Sequence, residues 1–267
     1  MDFIALGTGS AFCQENWQSN FLIRRNNKNL LIDCGSDIRF SLKDIGLSYK
    51  DIDAVYVSHA HADHIGGLEY LAFTSMFDPT CNKIKLYAEG ELMQDLWDKS
   101  LRGGLEGIEG QEVVLSDYFD LFPIKKNESF VWEGITLEII QTVHIAAKYK
   151  INSSYGLLFD HPDCNERVFI TTDTQYCPET YIKAAYNEST HIFHDCETSP
   201  FPSGVHPHYD DLKMLPKETK AKMWLYHYQD NVVLNWEEWN RKAIDDGFIG
   251  FLPKGVKLNR DLANPLG

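Results

Sequence analysis

The chain has 267 residues, 43% of them hydrophobic, and this size and composition predict a single globular domain over residues 1–267. Lys and Arg number 25 and Asp and Glu 39, so the formal net charge is −14, which disfavours a long nucleic-acid partner because an acidic surface repels polyanions. Six cysteines are scattered without a C-x-x-C pair, and no apolar run reaches the roughly 20 residues that span a bilayer. We therefore expect reduced thiols in a soluble, cytoplasmic protein that has no membrane partner.

Short apolar runs bounded by turn residues predict strands at 2–6, 20–24, 29–33 and 54–58. Apolar residues at helical spacing then predict a helix from His64 to Phe77, and a strand at 84–88 and a helix from Glu91 to Leu101 follow. The segment Arg102–Gly110 contains four glycines, which predicts a mobile surface loop, with an active-site lid as the alternative interpretation.

The second half of the chain has the same character. It predicts strands near 130–140, 154–160, 167–172, 191–195 and 222–227, with helices near 178–187 and 210–215. Strands followed by helices in both halves predict an α/β protein built as a four-layer αββα sandwich.

A dense group of possible metal ligands follows the predicted strand 54–58: His59, His61, Asp63 and His64. His59 and His61 are two apart on an extended segment, so both can face one metal, while Asp63 and His64 start the next helix and can face a second. Gly66 and Gly67 remove side-chain bulk where this helix approaches the site. Nitrogen and carboxylate donors suit zinc, with manganese or iron as alternatives.

Three later apolar runs each end in a further possible ligand. His144 follows Gln141–Val143, Asp173 follows the run from Phe169, and His227 follows Trp224–Tyr226. Ligands in α/β proteins collect at the carboxyl ends of strands, so these three side chains are expected at the same edge as the histidine-rich loop.

This pattern resembles the metallo-β-lactamase superfamily over nearly the whole chain, and implies that superfamily's fold and two zinc ions. By the resemblance, His59, His61 and His144 bind one zinc, Asp63, His64 and His227 bind the other, and Asp173 bridges both. Asp33 corresponds to the aspartate that supports the histidine loop. Two zinc ions roughly 3.5–4 Å apart activate water at neutral pH, and Asp63 is expected to orient that water as well as bind metal.

The opening Leu6–Phe12, with Ser19–Leu22, resembles the phosphodiesterase branch that includes the tRNA 3′-processing endonucleases. Those enzymes carry an extra histidine near the scissile phosphate, just before a helix. His208, two residues before Asp210 as the expected helix cap, and His206 are the two candidates, and either can donate a proton to a leaving alkoxide.

The chain departs from the endonucleases in two respects. Only 29 positions separate His144 from Asp173, and the predicted strands in that interval leave no room for a tRNA-binding arm. The net charge of −14 also differs from the basic surface that a tRNA-binding protein needs. Both differences favour a small phosphodiester as the substrate.

Three segments, Phe193–Ser199, Gly204–His208 and Trp224–Tyr228, resemble the anti-Pycsar protein family. That family comprises viral and bacterial enzymes that open cyclic nucleoside monophosphates, so the resemblance implies a cyclic nucleotide substrate, a role against an anti-phage defence signal, and a homodimer. Near the site loops, four aromatic residues are candidates for stacking on the base: Trp17, Phe201, Tyr209 and Tyr228. A tRNA 3′-processing endonuclease and another hydrolase of the same fold remain the alternatives.

Overall fold

The computed structural model describes residues 1–148, 150–180 and 182–258. The end of the predicted domain, 259–267, lies outside the described residues. The strands are, in chain order, β1 (Asp2–Gly7), β2 (Asn20–Arg25), β3 (Lys28–Ile32), β4 (Ala54–Val57), β5 (Ile84–Glu89), β6 (Gly107–Ile108), β7 (Gln111–Glu112), β8 (Phe119–Ile124), β9 (Ser129–Trp132), β10 (Ile135–Ala147), β11 (Lys150–Asp160), β12 (Arg167–Ile170), β13 (His191–Asp195), β14 (Met223–Tyr226), β15 (Gly250–Phe251) and β16 (Lys257–Leu258).

The helices are mostly short. They are α1 (Ile38–Asp44), α2 (Ala62–Ile65), α3 (Leu68–Phe77), α4 (Gly90–Leu96), α5 (Arg102–Leu105), α6 (Leu115–Tyr118), α7 (Ile182–Glu188), α8 (Tyr209–Leu212), α9 (Lys217–Lys220), α10 (Asp230–Leu234) and α11 (Trp236–Asp245). A 3₁₀ turn lies at Tyr49–Asp51, and a π-helical turn at Trp97–Leu101 joins α4 to α5.

Across the described ranges, two seven-stranded sheets form, in the orders β16-β1-β2-β3-β4-β5-β8 and β15-β14-β13-β12-β11-β10-β9. Side chains such as Phe3, Phe21, Leu137 and Leu157 fill the space between the sheets. The outer face of the first sheet packs against α1 and α3, and that of the second against α7 and α11. The four-layer αββα sandwich is therefore confirmed.

The predicted helix from His64 to Phe77 is wrong in one respect, because it is two helices, α2 and α3, divided at Gly66 and Gly67. The predicted loop Arg102–Gly110 is wrong in part, since it contains the helical turn α5 and the strand β6 beside a bend at Glu106 and a turn at Glu109 and Gly110. Leu105 is fully buried and packs with the core on the outer face of the first sheet.

Strand bounds also differ from the prediction at the long hairpin β10–β11. The predicted strand near 130–140 is two strands, β9 and β10, joined by a tight turn at Glu133 and Gly134, both with positive φ. Strand β10 then continues to Ala147, past the predicted end at His144. From Leu137 to Ala147, β10 pairs with β11 in an antiparallel hairpin beside the candidate site described below.

In the part of the chain described here, no helix combines the length and the apolar character needed to cross a membrane.

Alanine substitutions at Gly67 and at Gly103 should differ in their effect on the free energy of unfolding. A Cβ at Gly67 would lie 2.5 Å from the carbonyl oxygen of Gly35 and 2.5 Å from Ile38 Cγ2, whereas one at Gly103 would meet nothing within 4 Å. We expect Gly67→Ala to lower the free energy of unfolding by about 1–3 kcal/mol, the range for overpacking.

The matched control is Gly103→Ala on the exposed side of α5, which we expect to be neutral or to stabilise the fold by up to about 1 kcal/mol, because alanine favours helix over glycine. Urea unfolding followed by circular dichroism measures both. Equal effects at the two positions would contradict the packing described for α2 and α3.

Candidate metal centre

The first four candidate ligands lie where β4 ends and α2 begins. Strand β4 is buried throughout, and the chain stays extended through His61, which caps α2 with φ −90° and ψ 153°. His59 and His61 therefore face the same space, and His59 Nε2 lies 3.1 Å from His61 Nδ1. Asp63 and His64 occupy the first turn of α2, both buried.

The other three come from the second sheet. His144 lies within β10, at a shift of register between Val143 and Ile145, and this bulge turns its ring toward His61, with His144 Nε2 3.0 Å from His61 Nδ1. Asp173 follows β12 by three residues, and His227 directly follows β14. The expectation that His144 ends a strand is thus wrong, but all three side chains lie beside the histidine-rich loop, as expected.

These seven side chains form two groups that share Asp173. In each group, one donor atom from every member lies within 4.8 Å of the others. The first group is His59, His61, His144 and Asp173; the second is Asp63, His64, Asp173 and His227. Asp173 Oδ1 is 3.2 Å from His64 Nε2, and Asp173 Oδ2 is 3.6 Å from His59 Nε2, so its two oxygens face both groups.

Four possible metal-ligand atoms of these two groups are buried without a hydrogen-bond partner among the described residues. They are Asp63 Oδ2, His64 Nε2, Asp173 Oδ1 and His227 Nε2. Asp63 Oδ2 and Asp173 Oδ1 are in ion-pair contact with His64 Nε2, at 3.1 and 3.2 Å. Buried polar atoms in folded proteins are nearly always hydrogen-bonded or bound to metal, so four such atoms that face one space without hydrogen bonds fit divalent cations. Imidazole and carboxylate donors of this kind suit zinc or a similar transition metal.

Three of the site histidines are held by a polar contact at Nδ1. Asp33 accepts from His64 Nδ1 at 2.7 Å and also from the backbone N–H and the hydroxyl of Ser58, both at 2.8 Å. His144 Nδ1 donates to the carbonyl of Val205 at 3.1 Å, and His227 Nδ1 lies 3.1 Å from the Ser19 hydroxyl. Contacts at Nδ1 leave Nε2 of these rings directed at the shared space, as metal ligation requires.

The electrostatics of the site favour a bound positive charge. Burial lowers the pKa of His144 to about 4, so this ring is neutral and able to bind metal at neutral pH. Burial disfavours the charged form of His64 as well, but the carboxylates of Asp173, Asp63 and Asp33 outweigh it and raise the pKa of His64 well above its ordinary value. Burial also opposes ionisation of Asp63, yet the adjacent His64 holds its pKa at about 2.

His206 lies at the edge of the two groups, whereas His208 does not. His206 Nδ1 is 2.7 Å from Asp195 Oδ2 and 3.9 Å from Asp173 Oδ2, and its ring lies 5.0 Å from that of His227. Burial disfavours protonation of His206, but Asp195 outweighs it and raises the pKa to about 10.

His208 has a different position, and the expectation that Asp210 caps the following helix is wrong. His208 is itself the N-cap of α8, where its Nδ1 accepts from the backbone N–H of Asp210 at 3.3 Å. Its Nε2 donates to the carbonyl of Ser199 at 3.1 Å, so both ring nitrogens have local partners.

Asp195 is a residue of the site that was not expected from the sequence. It is fully buried at the end of β13, and its Oδ2 also accepts from the backbone N–H of Thr174 at 3.0 Å. The available signal was an aspartate that ends an apolar run, the same signal that indicated Asp173.

Three residues at the site have left-handed backbone conformations although none is glycine. They are Asp33 with φ 60°, Thr172 with φ 53° and His227 with φ 65°. Such a conformation is unfavourable for a β-branched residue such as Thr172, and it is found mainly where the surrounding structure imposes it.

The expectation that aromatic residues near the site stack on a base is wrong for two of the four. Tyr209 and Tyr228 are each 1% exposed and belong to the core beneath the second sheet. Trp17 stacks on Phe40 with ring centroids 5.7 Å apart, and Phe201 is 83% exposed.

The structure of the metallo-beta-lactamase fold protein YhfI from Bacillus subtilis superposes with a TM-score of 0.71 and 18% identity, covering 97% of this chain and 99% of that one. The fold is thus the metallo-β-lactamase fold. Together with the two groups of histidines and carboxylates at its sheet edge, the fold defines this chain as a metallo-β-lactamase-fold protein with a candidate site for divalent cations.

The model of the family Anti-Pycsar protein Apyc1 matches residues 1–257. Relatives include the anti-Pycsar protein Apyc1 of Paenibacillus harenae, 37% identical over 85% of this chain and 89% of the relative. Another is the protein of that name from Bacillus phage vB_BsuM-Goe3, 34% identical over 85% of this chain and 88% of the relative. The chain belongs to the anti-Pycsar protein Apyc1 family.

Proposed function

We propose that this chain is a two-zinc phosphodiesterase that hydrolyses cyclic nucleoside monophosphates to linear nucleotides. The observation that carries the proposal is the pair of four-donor groups that share Asp173. Two bound zinc ions would activate a water for attack and neutralise charge on the phosphoryl oxygens. The first ion would be held by His59, His61 and His144, the second by Asp63, His64 and His227.

The chain's own residues supply the other parts of the reaction. Asp63 has one buried oxygen, Oδ2, without a hydrogen-bond partner among the described residues, so it can bind metal and orient the attacking water. His206 is the proposed general acid. Its Nδ1 is occupied by Asp195, which leaves Nε2 to donate a proton to the alkoxide released when the cyclic phosphate opens. Asp195 is then a positioning residue for His206.

Family membership supports the substrate class and the biological role. Both relatives named above are anti-Pycsar proteins, and one of them is encoded by a bacteriophage. We therefore propose that the substrate is a cyclic nucleotide that serves as an anti-phage defence signal. The formal charge of −14 is in keeping with a small substrate rather than a long nucleic acid.

A homodimer is the proposed assembly. Phe12 is 91% exposed and Phe201 is 83% exposed. The loops that carry them contact the segment just after His227, through Gln14 to Asp230 and through Thr198 to Gln229. Large exposed apolar side chains beside a functional site often mark an interaction surface, which a second copy of the chain would cover.

The direct test is hydrolysis by the purified chain reconstituted with zinc. We expect turnover of one or more of cAMP, cGMP, cCMP and cUMP to the linear monophosphate, measured by chromatography. The activity should be abolished by a chelator and by Asp173→Asn, and restored by zinc only in the wild type. If none of the four cyclic nucleotides is converted, the proposal is contradicted. Cleavage of precursor tRNA by the same preparation would favour the endonuclease alternative.

A second test separates the roles of His206 and His208. We expect His206→Ala to lower kcat for a cyclic nucleotide by about 10²–10⁴-fold, the usual contribution of a general acid. His208→Ala should change kcat by only a few-fold and cost about 1 kcal/mol of stability through loss of the helix cap.

The leaving group provides the control for the role of His206. Nitrophenolate departs without a proton, so the loss caused by His206→Ala should be much smaller with methyl p-nitrophenyl phosphate than with a cyclic nucleotide. An equal loss with both esters, or a greater loss in His208→Ala, would exclude His206 as the general acid.

A further inference from the structure

A cavity of about 280 Å³ opens beside the three-histidine group of the site. His59, His61 and His144 line it together with residues from the end of β5, the helix α4 and the strand β11. A group attached to a phosphate at the metal centre would therefore extend into this space, since the ligands themselves form part of its lining.

The charges around this cavity are balanced in pairs. Lys126 is 3.3 Å from Glu91, and Lys99 is 2.6 Å from Asp95, so each ammonium group that lines the cavity has a carboxylate partner. Glu89 adds one further negative charge. A second phosphate group would meet no surplus positive charge here, which disfavours a polyphosphate or a polynucleotide as occupant and favours an uncharged group.

Glu89 is a buried carboxylate in the lining of this cavity. It is only 4% exposed, and its Oε2 accepts from the backbone N–H groups of Glu91 at 2.9 Å and Leu92 at 3.0 Å, which hold the carboxylate at the start of α4. The Tyr155 side chain lies against it, and burial together with the Glu89 charge raises the pKa of the Tyr155 hydroxyl, which therefore stays protonated as a hydrogen-bond donor.

An ionised carboxylate can accept about four hydrogen bonds, so Glu89 keeps acceptor capacity for a ligand after binding the two N–H groups and the tyrosine. A buried acceptor of this kind selects for hydrogen-bond donors, because an occupant without one would leave the carboxylate desolvated. The ribose and base of a nucleotide offer such donors as a hydroxyl or an exocyclic amino group.

We infer that this cavity is the subsite for the nucleoside part of the substrate, and that Glu89 selects it by accepting a hydrogen bond from a ribose hydroxyl or a base amino group. The inference rests on the proposed function, because a cyclic nucleotide must first be the substrate. It makes Glu89 a specificity-determining residue outside the metal ligands.

The first variant is Glu89→Gln, which keeps an oxygen for the backbone N–H groups of α4 but removes the charge. Loss of a hydrogen bond to a charged acceptor should reduce kcat/KM for the nucleotide by about tenfold relative to methyl p-nitrophenyl phosphate, which has neither sugar nor base. The change should appear mainly in KM, since Glu89 contacts no reacting atom.

The choice of nucleotides identifies the donor. If the donor is the ribose hydroxyl, the loss appears with cAMP and cUMP alike and is absent with 2′-deoxy-cAMP. If it is a base amino group, the loss appears with cAMP and cCMP but not with cUMP. Either pattern supports the subsite.

The second variant narrows the cavity without touching Glu89. Asn152 is exposed on β11 at the cavity lining, so Asn152→Trp should raise KM for the nucleotide and raise the Kd of a non-hydrolysable phosphorothioate analogue of cAMP, measured by calorimetry. The control is Val131→Trp, at an exposed strand position in β9 that does not line this cavity and should leave both constants unchanged.

The outcomes separate the subsite from the proposed function. If the wild type hydrolyses no cyclic nucleotide, the proposed function fails. If the wild type does so and both Glu89→Gln and Asn152→Trp leave the ratio of kcat/KM values between nucleotide and methyl ester unchanged, the function stands and the subsite is overturned.

Discussion

Two buried carboxylates, Asp63 and Asp173, face histidine nitrogens across a space at the edge of both sheets, and each has an oxygen without a hydrogen-bond partner in the described residues. Removing an ionised carboxylate from water costs several kcal/mol unless a countercharge is present. The same carboxylates, with Asp33, raise the pKa of His64 because they favour a positive charge beside them. Divalent cations supply that charge, and the surrounding structure is arranged to bring seven donors to them.

Other features of the fold follow from this requirement. A bulge in β10 directs His144 inward, and left-handed backbone conformations at Thr172 and His227 turn the chain where β12 and β14 deliver their ligands. Conformations of this kind cost of order 1–3 kcal/mol each. The packed core between the sheets and the hydrogen bonds of Asp33 hold the loops in place against that cost. The left-handed conformations thus lower the stability of the fold locally, and in return the metal-ligand atoms are held in place before a metal binds.

Much of this arrangement could be predicted from the sequence, because its signals are local. His59 and His61 are two apart on an extended segment, so both face the same space, and apolar runs that end in Asp173 or His227 mark strand ends. The four layers follow from strands and helices in both halves. In contrast, the break at Gly66 and Gly67 depends on contacts with Gly35 and Ile38, far away in the sequence.

The parts that escaped prediction depend on tertiary packing. Nothing in the sequence around His144 indicates a bulge, and the choice between His206 and His208 depends on where the loop places each ring. Asp195 carries the same signal as Asp173 but requires the position of His206 to be recognised as its partner. Tyr209 and Tyr228 could not be assigned to the core without the helices that cover the second sheet.

The most direct measurement of the central claim is anomalous scattering at the zinc absorption edge from crystals of the zinc-loaded protein. The account predicts two peaks roughly 3.5–4 Å apart, the usual spacing of two-metal sites. One should lie among His59, His61 and His144, the other among Asp63, His64 and His227, with Asp173 between them. A single peak, or peaks away from these side chains, would contradict it.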